Sequence, residues 1–262
     1  MNDIVIEVQH LGFKYPSAPK PTLGDIDFSV ARGEFVSVVG PSGAGKTTLL
    51  NCISGLTRPT SGRVLVEGEA ITAPSSKIGI VFQDYSRSLF PWLTAEKNVA
   101  LPLGSRGLSA EEIRNRVSGA LASVGLGGQE KKYPWEMSGG MQQRVAIARA
   151  LALEPHVLIM DEPMASVDAQ TRSDLEDLVL GIWAERGVTV ILVTHDIDEA
   201  VYMSDRVVIL STPPTAVHDV MEVGLARPRH QLETKDDPDF GHLRSRLFTA
   251  IRELREFSAA KP

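Results

Sequence analysis

The sequence predicts an α/β fold with a mainly parallel sheet. Short apolar runs with the length of buried strands recur along the chain, at residues 35–39, 78–82, 157–161, 188–194 and 206–210. Helical patterns separate these runs, and a glycine-rich loop joins the first run to a helix. A β-rich segment precedes them, up to about Arg32, and a segment of helical character extends from Leu89 to Leu126. We therefore expect a sheet core with an N-terminal β subdomain and a helical insertion.

The composition is that of an ordinary globular protein, with 43% hydrophobic and 23% charged residues among 262, so a sizeable core can form. A formal net charge of −6 speaks against a general nucleic-acid-binding surface, which needs clustered Lys and Arg. The single cysteine, Cys52, excludes an internal disulfide and fits a reducing compartment. No N-terminal signal is recognised, and no apolar run approaches the ~20 residues of a membrane-spanning helix. Any membrane role is therefore expected to come through a partner.

The central motif is the stretch Gly40-Pro41-Ser42-Gly43-Ala44-Gly45-Lys46-Thr47, which lies between an apolar strand and a helix. Every fixed position of the G-x-x-x-x-G-K-[ST] phosphate-binding pattern is filled. Glycines let consecutive backbone N–H groups point inward, and the following helix adds the positive end of its dipole. Lys46 supplies a charge for the β- and γ-phosphates, and Thr47 supplies a hydroxyl for Mg²⁺. The chain is predicted to bind a nucleoside triphosphate, because an accidental glycine-rich turn does not explain the flanking strand and helix.

Three further features have open interpretations. Tyr15 precedes the loop in sequence, where its ring can stack on a purine base or simply pack beside the next proline. Gln83 ends the strand 78–82, and its amide can reach a metal or an attacking water, or merely cap the strand. The apolar and aromatic stretch 89–93 is either a docking surface or part of the core.

A second candidate anion-binding helix terminus begins at Ser138-Gly139-Gly140. One chain has little use for two such termini at a single triphosphate unless two chains share it, and the alternative is that Ser138 only caps its helix. Two carboxylates, Asp161 and Glu162, end the next apolar strand. Carboxylates are costly to bury without a function. We therefore predict that Asp161 holds Mg²⁺ through water and that Glu162 orients or deprotonates the attacking water.

His195 follows the strand 188–194 and, of the six histidines, it alone stands at the carboxyl end of a core strand. Ligands of open α/β sheets bind at that edge, which favours a functional histidine over a structural one. Beyond residue 214 the alternation of strands and helices is lost, and residues 225–239 are polar. Apolar residues at helical spacing between 240 and 257 predict an amphipathic C-terminal helix, either packed on the domain or facing a partner.

In combination, these motifs resemble the nucleotide-binding subunit of ATP-binding cassette (ABC) transporters over roughly residues 4–210. The resemblance rests on their order along the chain, which runs through the loop 40–47, Gln83, Ser138 to Arg144, Asp161-Glu162, Asp168 and His195. It implies an ABC ATPase fold over residues 1–215, with a P-loop NTPase core, an antiparallel N-terminal β subdomain and a helical subdomain at about 88–150. Residues 216–262 would form a C-terminal extension. Met137 replaces the usual Leu of the family, and its similar volume predicts no loss of function.

The resemblance also implies a role for each matched residue. Catalytic roles fall to Lys46, Gln83, Glu162 and His195, and Mg²⁺ contacts to Thr47, Gln83 and Asp161. Asp168 would connect the two sites of a cassette dimer. Ser138 and Gly140 would act on ATP held by the other cassette, so that two copies sandwich two ATP molecules. Contacts to ATP are implied for Tyr15, Gly40, Pro41, Ser42, Gly43, Ala44, Gly45, Lys46, Thr47, Thr48, Ser138, Gly139, Gly140 and Gln142.

Within the family, the stretches 89–94, 168–172 and 193–200 resemble importer cassettes of the nitrate/sulfonate/taurine group. This implies ATP-driven uptake of a small, anionic solute through separate integral-membrane permease subunits, gripped by the stretch 89–99. The implied partners are a second, identical cassette, the permease and an external solute-binding protein, with no nucleic acid. The cassette would lie at the cytoplasmic face of the inner membrane, held there by the permease, and would be soluble when isolated.

Two other functional classes remain as alternatives. A soluble ABC-type ATPase of DNA repair would need a long coiled coil, and one of translation usually has two cassettes in one chain. This sequence shows no sustained heptad run and a single cassette. A P-loop small-molecule kinase would leave Ser138-Gly139-Gly140 unexplained. The sequence therefore favours an importer ATPase over both.

Overall fold

The computed structural model describes residues 3–84 and 88–259, with side chains up to residue 256. The terminal parts of the predicted domains, residues 1–2 and 260–262, lie outside the described residues. The chain divides into two compact units, Met1–Ser75 with Thr189–Pro262 and Ser76–Val188. In sequence, the second unit is therefore inserted in the first. The predicted limits of a helical subdomain at 88–150 and of an extension from 216 stay predictions.

The first unit is built on one sheet. Its strands are β1 (Ile4–Phe13), β2 (Leu23–Ala31), β3 (Phe35–Val39), β4 (Ser61–Val66), β5 (Glu69–Ala70), β8 (Thr189–Val193), β9 (Arg206–Leu210) and β10 (Thr215–Glu222). Across the sheet their order is β5-β4-β1-β2-β10-β9-β3-β8. The N-terminal strands pair antiparallel, whereas β3 lies parallel to both β8 and β9. The predicted combination of an antiparallel β subdomain and a parallel core is confirmed.

The core strands form where the sequence is almost entirely apolar. Every residue of β3 and of β8 is buried, which matches the expectation for a strand covered on both faces. Two polar residues inside these strands have hydrogen-bond partners. Ser37 bonds the hydroxyl of Ser204, and the hydroxyl of Thr189 accepts the N–H of Gly33 at 3.0 Å. The helices of this unit are α1 (Lys46–Ile53), α6 (Ile197–Met203), α7 (Gln231–Asp236) and α8 (Pro238–Ala259).

The second unit combines two parallel strands with a group of helices. Its elements are β6 (Ile78–Val81), β7 (Val157–Asp161), α2 (Ala95–Ala100), α3 (Ala110–Ser123), α4 (Gly139–Leu151) and α5 (Ala169–Arg186). α4 packs against α2, α3 and β6. α3 begins with a capping box: Ser109 accepts the N–H of Glu112 at 3.2 Å, and Glu112 accepts the N–H of Ser109 at 2.8 Å. These hydrogen bonds lower the pKa of the Glu112 carboxyl.

The C-terminal region differs from its prediction in three respects. β10 was not predicted, because its alternation of apolar and polar residues is weak and one of its two pairing partners, β2, is distant in sequence. The polar segment 225–239 contains α7, which buries none of its residues. α8 is the predicted amphipathic helix and packs on α6. It buries Phe240, Leu247, Ile251 and Leu254, but Phe248 is 55% exposed. In the part of the chain that the structure describes, none of the helices has the length and apolar character needed to cross a lipid bilayer.

Candidate functional site

The phosphate-binding loop connects β3 to α1 and depends on glycine at two points. Gly43 and Gly45 have φ angles of 79° and 75°, in the left-handed region that residues with a Cβ rarely adopt. A Cβ on Gly45 would also lie 2.8 Å from Cγ2 of Thr22. Thr215, on the unpredicted strand β10, donates its hydroxyl to the carbonyl of Ala44 at 2.9 Å. The sheet therefore fixes the loop from outside as well as through its own backbone.

Lys46 is the first residue of α1, and its ammonium group folds back over the loop. Nζ donates to the carbonyl of Gly40 at 2.9 Å and to that of Pro41 at 3.2 Å. Thr47, the next residue, is exposed. A cation and a hydroxyl thus stand at the point where the loop becomes a helix, which is the arrangement that triphosphate binding requires.

Tyr15 lies beside the start of α1. Its hydroxyl is 3.1 Å from Oγ1 of Thr48, the third residue of the helix. The ring packs edge-on against Phe13, with 4.8 Å between the ring centroids, and the residue is 45% exposed. Tyr15 is therefore neither buried nor remote from the loop, so an aromatic face remains accessible there for stacking.

His195 stands at the same edge of the sheet as the phosphate loop. β3 and β8 are parallel neighbours with Val38 opposite Val193, so both strands end side by side. Gly40 follows the first strand end, and His195 comes two residues after the second. His195 is exposed, whereas Thr194 before it is buried. Within the first unit, the structure thus brings Tyr15, the phosphate loop and His195 towards the carboxyl ends of two core strands.

Gln83 and Glu162 meet in the second unit. β6 and β7 are parallel neighbours with Val81 opposite Met160. Gln83 follows the end of β6, and Glu162 follows the end of β7. Nε2 of Gln83 donates to Oε2 of Glu162 at 2.8 Å. Asp161 is only 7% exposed, whereas Glu162 is half-buried and Gln83 exposed. The pair is therefore within reach of a water molecule.

The backbone at Glu162 is strained. Its φ angle is 44°, a left-handed conformation that costs about 1–2 kcal/mol for a residue with a Cβ. Its carbonyl accepts the N–H of Ala165 at 3.2 Å, which closes a tight turn directly after β7. Strain of this kind persists where the surroundings impose it, and it is concentrated at functional sites.

Ser138 caps α4, as one of the two sequence interpretations proposed. Its hydroxyl accepts the N–H of Met141 at 3.3 Å, and Ser138 stays exposed. The amide nitrogen of Gln142 donates to the carbonyls of Pro134 at 2.9 Å and Met137 at 3.2 Å. The cap leaves Ser138 accessible to a ligand, while the Gln142 amide nitrogen fixes the turn that precedes α4. The predicted ATP contact of Gln142 stays a prediction.

Gly140 and Asp168 are linked through Thr171, a residue that the sequence did not single out. A Cβ on Gly140 would lie 2.6 Å from Cγ2 of Thr171. Asp168 caps α5 by accepting the backbone N–H of Thr171 at 3.0 Å and its hydroxyl at 2.7 Å. These bonds lower the pKa of the Asp168 carboxyl. The start of α4 and the start of α5 are therefore in close contact.

The aromatic stretch 89–94 is held rigidly but is only partly buried. Asn98, which is fully buried on α2, accepts the N–H of Phe90 at 2.8 Å. Its amide nitrogen donates to the carbonyls of Phe90, Leu93 and Thr94 at 3.0–3.1 Å. Leu89 belongs to the core, whereas Trp92 is 67% exposed. Sequence reasoning missed Asn98, although a polar residue on a short apolar helix face was a usable signal.

A groove of about 490 Å³ opens in the same unit. It is lined by Ile78, Ile80, Phe82, Ser88, Leu101, Pro102, Arg149, Ala150 and Leu153. Arg149 fixes one wall by donating to the carbonyl of Ser88 at 2.6 Å and to its hydroxyl at 2.9 Å. Phe82 and Leu101 are 43% and 49% exposed. The second unit therefore presents an apolar concave surface as well as the Gln83–Glu162 pair.

Comparison with known proteins gives one consistent result. The model of the family described as ABC transporter matches residues 23–165. The aliphatic sulfonates import ATP-binding protein SsuB of Bacillus thuringiensis subsp. konkukian (strain 97-27) is 47% identical over 227 residues, which cover 84% of this chain and 88% of that protein. The nitrate import ATP-binding protein NrtD of Synechococcus elongatus is 44% identical over 236 residues, covering 89% and 85%. The dimeric structure of a post-hydrolysis state of the ATP-binding cassette MJ0796, bound to ADP and Pi, has a TM-score of 0.72 and 34% identity, covering 83% of this chain and 98% of that one.

Proposed function

Because the chain belongs to the ABC transporter family, as an ATP-binding import subunit with ATPase activity, we propose that two copies enclose two ATP molecules and drive a separate membrane permease. Each site uses the phosphate loop of one copy and the Ser138 helix terminus of the other. ATP binding closes the pair, and hydrolysis with product release reopens it. The exposed Ser138 at the start of α4 supports this arrangement, as does the dimeric state of the MJ0796 structure.

The residues of the first unit bind the triphosphate in this proposal. The loop amides and the positive end of α1 surround the phosphates, and Lys46 exchanges its contacts with Gly40 and Pro41 for phosphate oxygens. Tyr15 stacks on the adenine. His195 contacts the γ-phosphate from the neighbouring strand end. Stabilisation of charge that develops during phosphoryl transfer is the main catalytic effect of such groups.

Water activation falls to Glu162, and the hydrogen bond between Gln83 and Glu162 is the observation that carries the proposal. The Gln83 amide nitrogen donates to one carboxylate oxygen of Glu162 at 2.8 Å, which orients the carboxylate to accept a proton from the attacking water. A general base typically contributes about 10²- to 10⁴-fold to a rate. The strained backbone of Glu162 is consistent with a side chain held for this task.

The donor chemistry of the predicted metal ligands fits Mg²⁺. Thr47 offers a hydroxyl, Gln83 an amide oxygen and Asp161 a carboxylate that is 7% exposed, and Mg²⁺ prefers oxygen ligands with some of its waters retained. When bound, Mg²⁺ neutralises charge on the phosphates. Thr47 and Asp161 would hold it, and Gln83 would sense it.

The permease contact is proposed for the aromatic platform of residues 89–94 and the adjoining groove. Asn98 holds the platform in one shape, so that Trp92 is presented to a partner without loss of loop entropy. An aromatic side chain on a rigid backbone is typical of residues that dominate interface energies. The permease places the cassette at the cytoplasmic face of the inner membrane.

The cargo is proposed to be a small oxyanion. The relatives described above are named for import of aliphatic sulfonates and of nitrate, and both solutes carry a single negative charge on oxygen atoms. The external solute-binding protein and the permease would choose between them. Uptake of labelled ethanesulfonate and nitrate, measured in cells with and without the gene, tests this part directly.

The experiment for the whole proposal is a pull-down from detergent-solubilised native membranes with tagged Glu162→Gln chain and Mg-ATP. We expect to recover a protein with several membrane spans. Adding Trp92→Ala should reduce that recovery, whereas adding Leu232→Ala should not, because Leu232 is 80% exposed on α7 in the other unit. Recovery of soluble proteins alone would contradict a role in transport and leave the ATPase site unaffected.

A further inference from the structure

The exposed His195 stands between residues whose positions are fixed by one buried carboxylate. Thr194, directly before His195, is 2% exposed, and Glu199 on α6 is 4% exposed. The hydroxyl of Thr194 donates to a carboxylate oxygen of Glu199 and accepts the N–H of Asp196 at 3.0 Å. A hydroxyl has one proton to give, so the carboxylate must be its acceptor and the backbone N–H its donor. The Glu199 carboxylate therefore bonds Thr194 directly and reaches Asp196 through the Thr194 hydroxyl.

Asp196, directly after His195, is also bonded to Glu199. Its Oδ1 accepts the N–H of Asp198 at 2.9 Å and that of Glu199 at 3.2 Å, which caps α6. Both neighbours of His195 are thus bonded to Glu199: Thr194 bonds its carboxylate, and Asp196 bonds its backbone N–H. This closed set of bonds leaves the turn little freedom, while the imidazole of His195 remains exposed.

α6, which carries Glu199, is itself held in place by packing and by hydrogen bonds. Ala200, Val201, Tyr202 and Met203 are buried, and the helix packs against β3 and α8. Arg229, which is 7% exposed, donates from Nη1 to the carbonyls of Val201 at 3.1 Å and Tyr202 at 2.6 Å. Bonds at both ends of α6 therefore tie Glu199 to the framework that also carries the phosphate loop on β3.

We propose that Glu199 is a positioning residue for ATP hydrolysis. Its buried carboxylate, acting through the Thr194 hydroxyl, holds the turn so that His195 presents its imidazole to the γ-phosphate in one orientation. A carboxylate is an expensive group to bury, and a leucine of similar volume would fill the same space without that cost. The inference rests on the proposed contact of His195 with ATP. Glu199 touches neither substrate nor water in this role.

The variants separate the hydrogen bond from the packing. Glu199→Leu and Thr194→Val each remove the hydrogen bond between residues 194 and 199 and keep the side-chain volume. Glu199→Gln keeps the acceptor of that bond, and Thr194→Ser keeps its donor. We expect the first pair to lower kcat for ATP hydrolysis by roughly 10- to 100-fold, the range for small misplacements of a catalytic group. The KM for ATP should stay within about two-fold, because the phosphate loop is untouched. The second pair should stay close to the wild-type kcat.

A double-mutant cycle with His195→Ala distinguishes positioning from a general structural role. If Glu199 acts through His195, Glu199→Leu should cost almost nothing further in the His195→Ala chain. The same loss in both backgrounds, or a loss of kcat that follows a fall in Tm across all four variants, would overturn the proposal. Thr194→Val provides the same comparison from the other end of the bond if Glu199→Leu does not fold. A wild-type rate for His195→Ala would contradict the proposed role of His195 and, with it, the positioning role of Glu199. If His195→Ala is slow and Glu199→Leu lowers its kcat as much as it lowers that of the wild-type chain, only the positioning role is contradicted.

Discussion

The side-chain amide nitrogen of Gln83 lies 2.8 Å from a carboxylate oxygen of Glu162. The two residues are far apart in sequence and meet because β6 and β7 run parallel and end together. A neutral donor on one oxygen orients the carboxylate without removing its charge. The contact therefore orients Glu162 for its proposed role in proton abstraction.

Glu162→Gln should stop turnover and preserve ATP binding. The substitution keeps the shape and a hydrogen-bond acceptor for Gln83 but removes the base. We expect kcat to fall by roughly 10²- to 10⁴-fold in a phosphate-release assay, with ATP affinity within about two-fold of the original. Glu185→Gln, on the exposed face of α5, is the matched control. An unchanged rate in Glu162→Gln would remove the base assignment.

Glu162→Gly should be more stable than Glu162→Ala, by about 1 kcal/mol. Both variants lose the carboxylate, but only alanine retains the Cβ that makes the φ angle of 44° unfavourable. Glycine's larger unfolded-state entropy offsets part of the gain. Urea unfolding of the two variants measures the difference. Equal midpoints would show that the surroundings, and not the Cβ, set the conformation at residue 162.

Gly140→Ala should destabilise the second unit by about 1–3 kcal/mol, the usual cost of overpacking. At most exposed helix positions a change from glycine to alanine stabilises the fold. Here the new Cβ would lie 2.6 Å from Cγ2 of Thr171, and this clash reverses the sign of the change in stability. Thr171→Ser removes that methyl group and keeps the hydroxyl bonded to Asp168. The double variant should therefore regain most of the stability in urea unfolding. No recovery would mean that the clash lies elsewhere.

Stability should fall with rising pH above 9 because of Cys52. Burial raises the pKa of this thiol from its ordinary value of 9.0 to about 11. Between these values the folded chain keeps a proton that the unfolded chain loses, so the free energy of unfolding decreases as the pH rises through that window. The full effect is on the order of 3 kcal/mol. Cys52→Ala should show a flatter dependence between pH 9 and 11 in urea titrations, and identical slopes would contradict the assignment.

The features that the sequence predicts well are those encoded by neighbouring residues. The phosphate loop is one contiguous motif, and β9 begins and ends at Arg206 and Leu210 as predicted, because an uninterrupted apolar run has sharp limits. The positions of Gln83 and Glu162 at strand ends also follow from local pattern. Their contact required one further fact, that β6 and β7 are neighbours.

The features that escaped prediction depend on distant partners. Thr215 matters because its hydroxyl reaches Ala44, and β10 pairs with β2, which is distant in sequence. Thr171 became noticeable only once Gly140 was found against its methyl group. None of these relationships leaves a periodicity or a motif in the residues themselves.

The strand order of the first unit has a consequence for how the chain is made. β3 has β8 and β9 as its sheet neighbours, and the whole second unit, Ser76–Val188, is translated between them. At a synthesis rate of ~5–20 residues per second, β3 leaves the ribosome on the order of ten seconds before either neighbour exists. The inserted unit can fold during that interval, while β3 stays an unpaired apolar strand with an aggregation-prone edge. The nucleotide loop therefore gains its scaffold only after β8 and β9 have been translated, and a nascent-chain chaperone is most needed before that point.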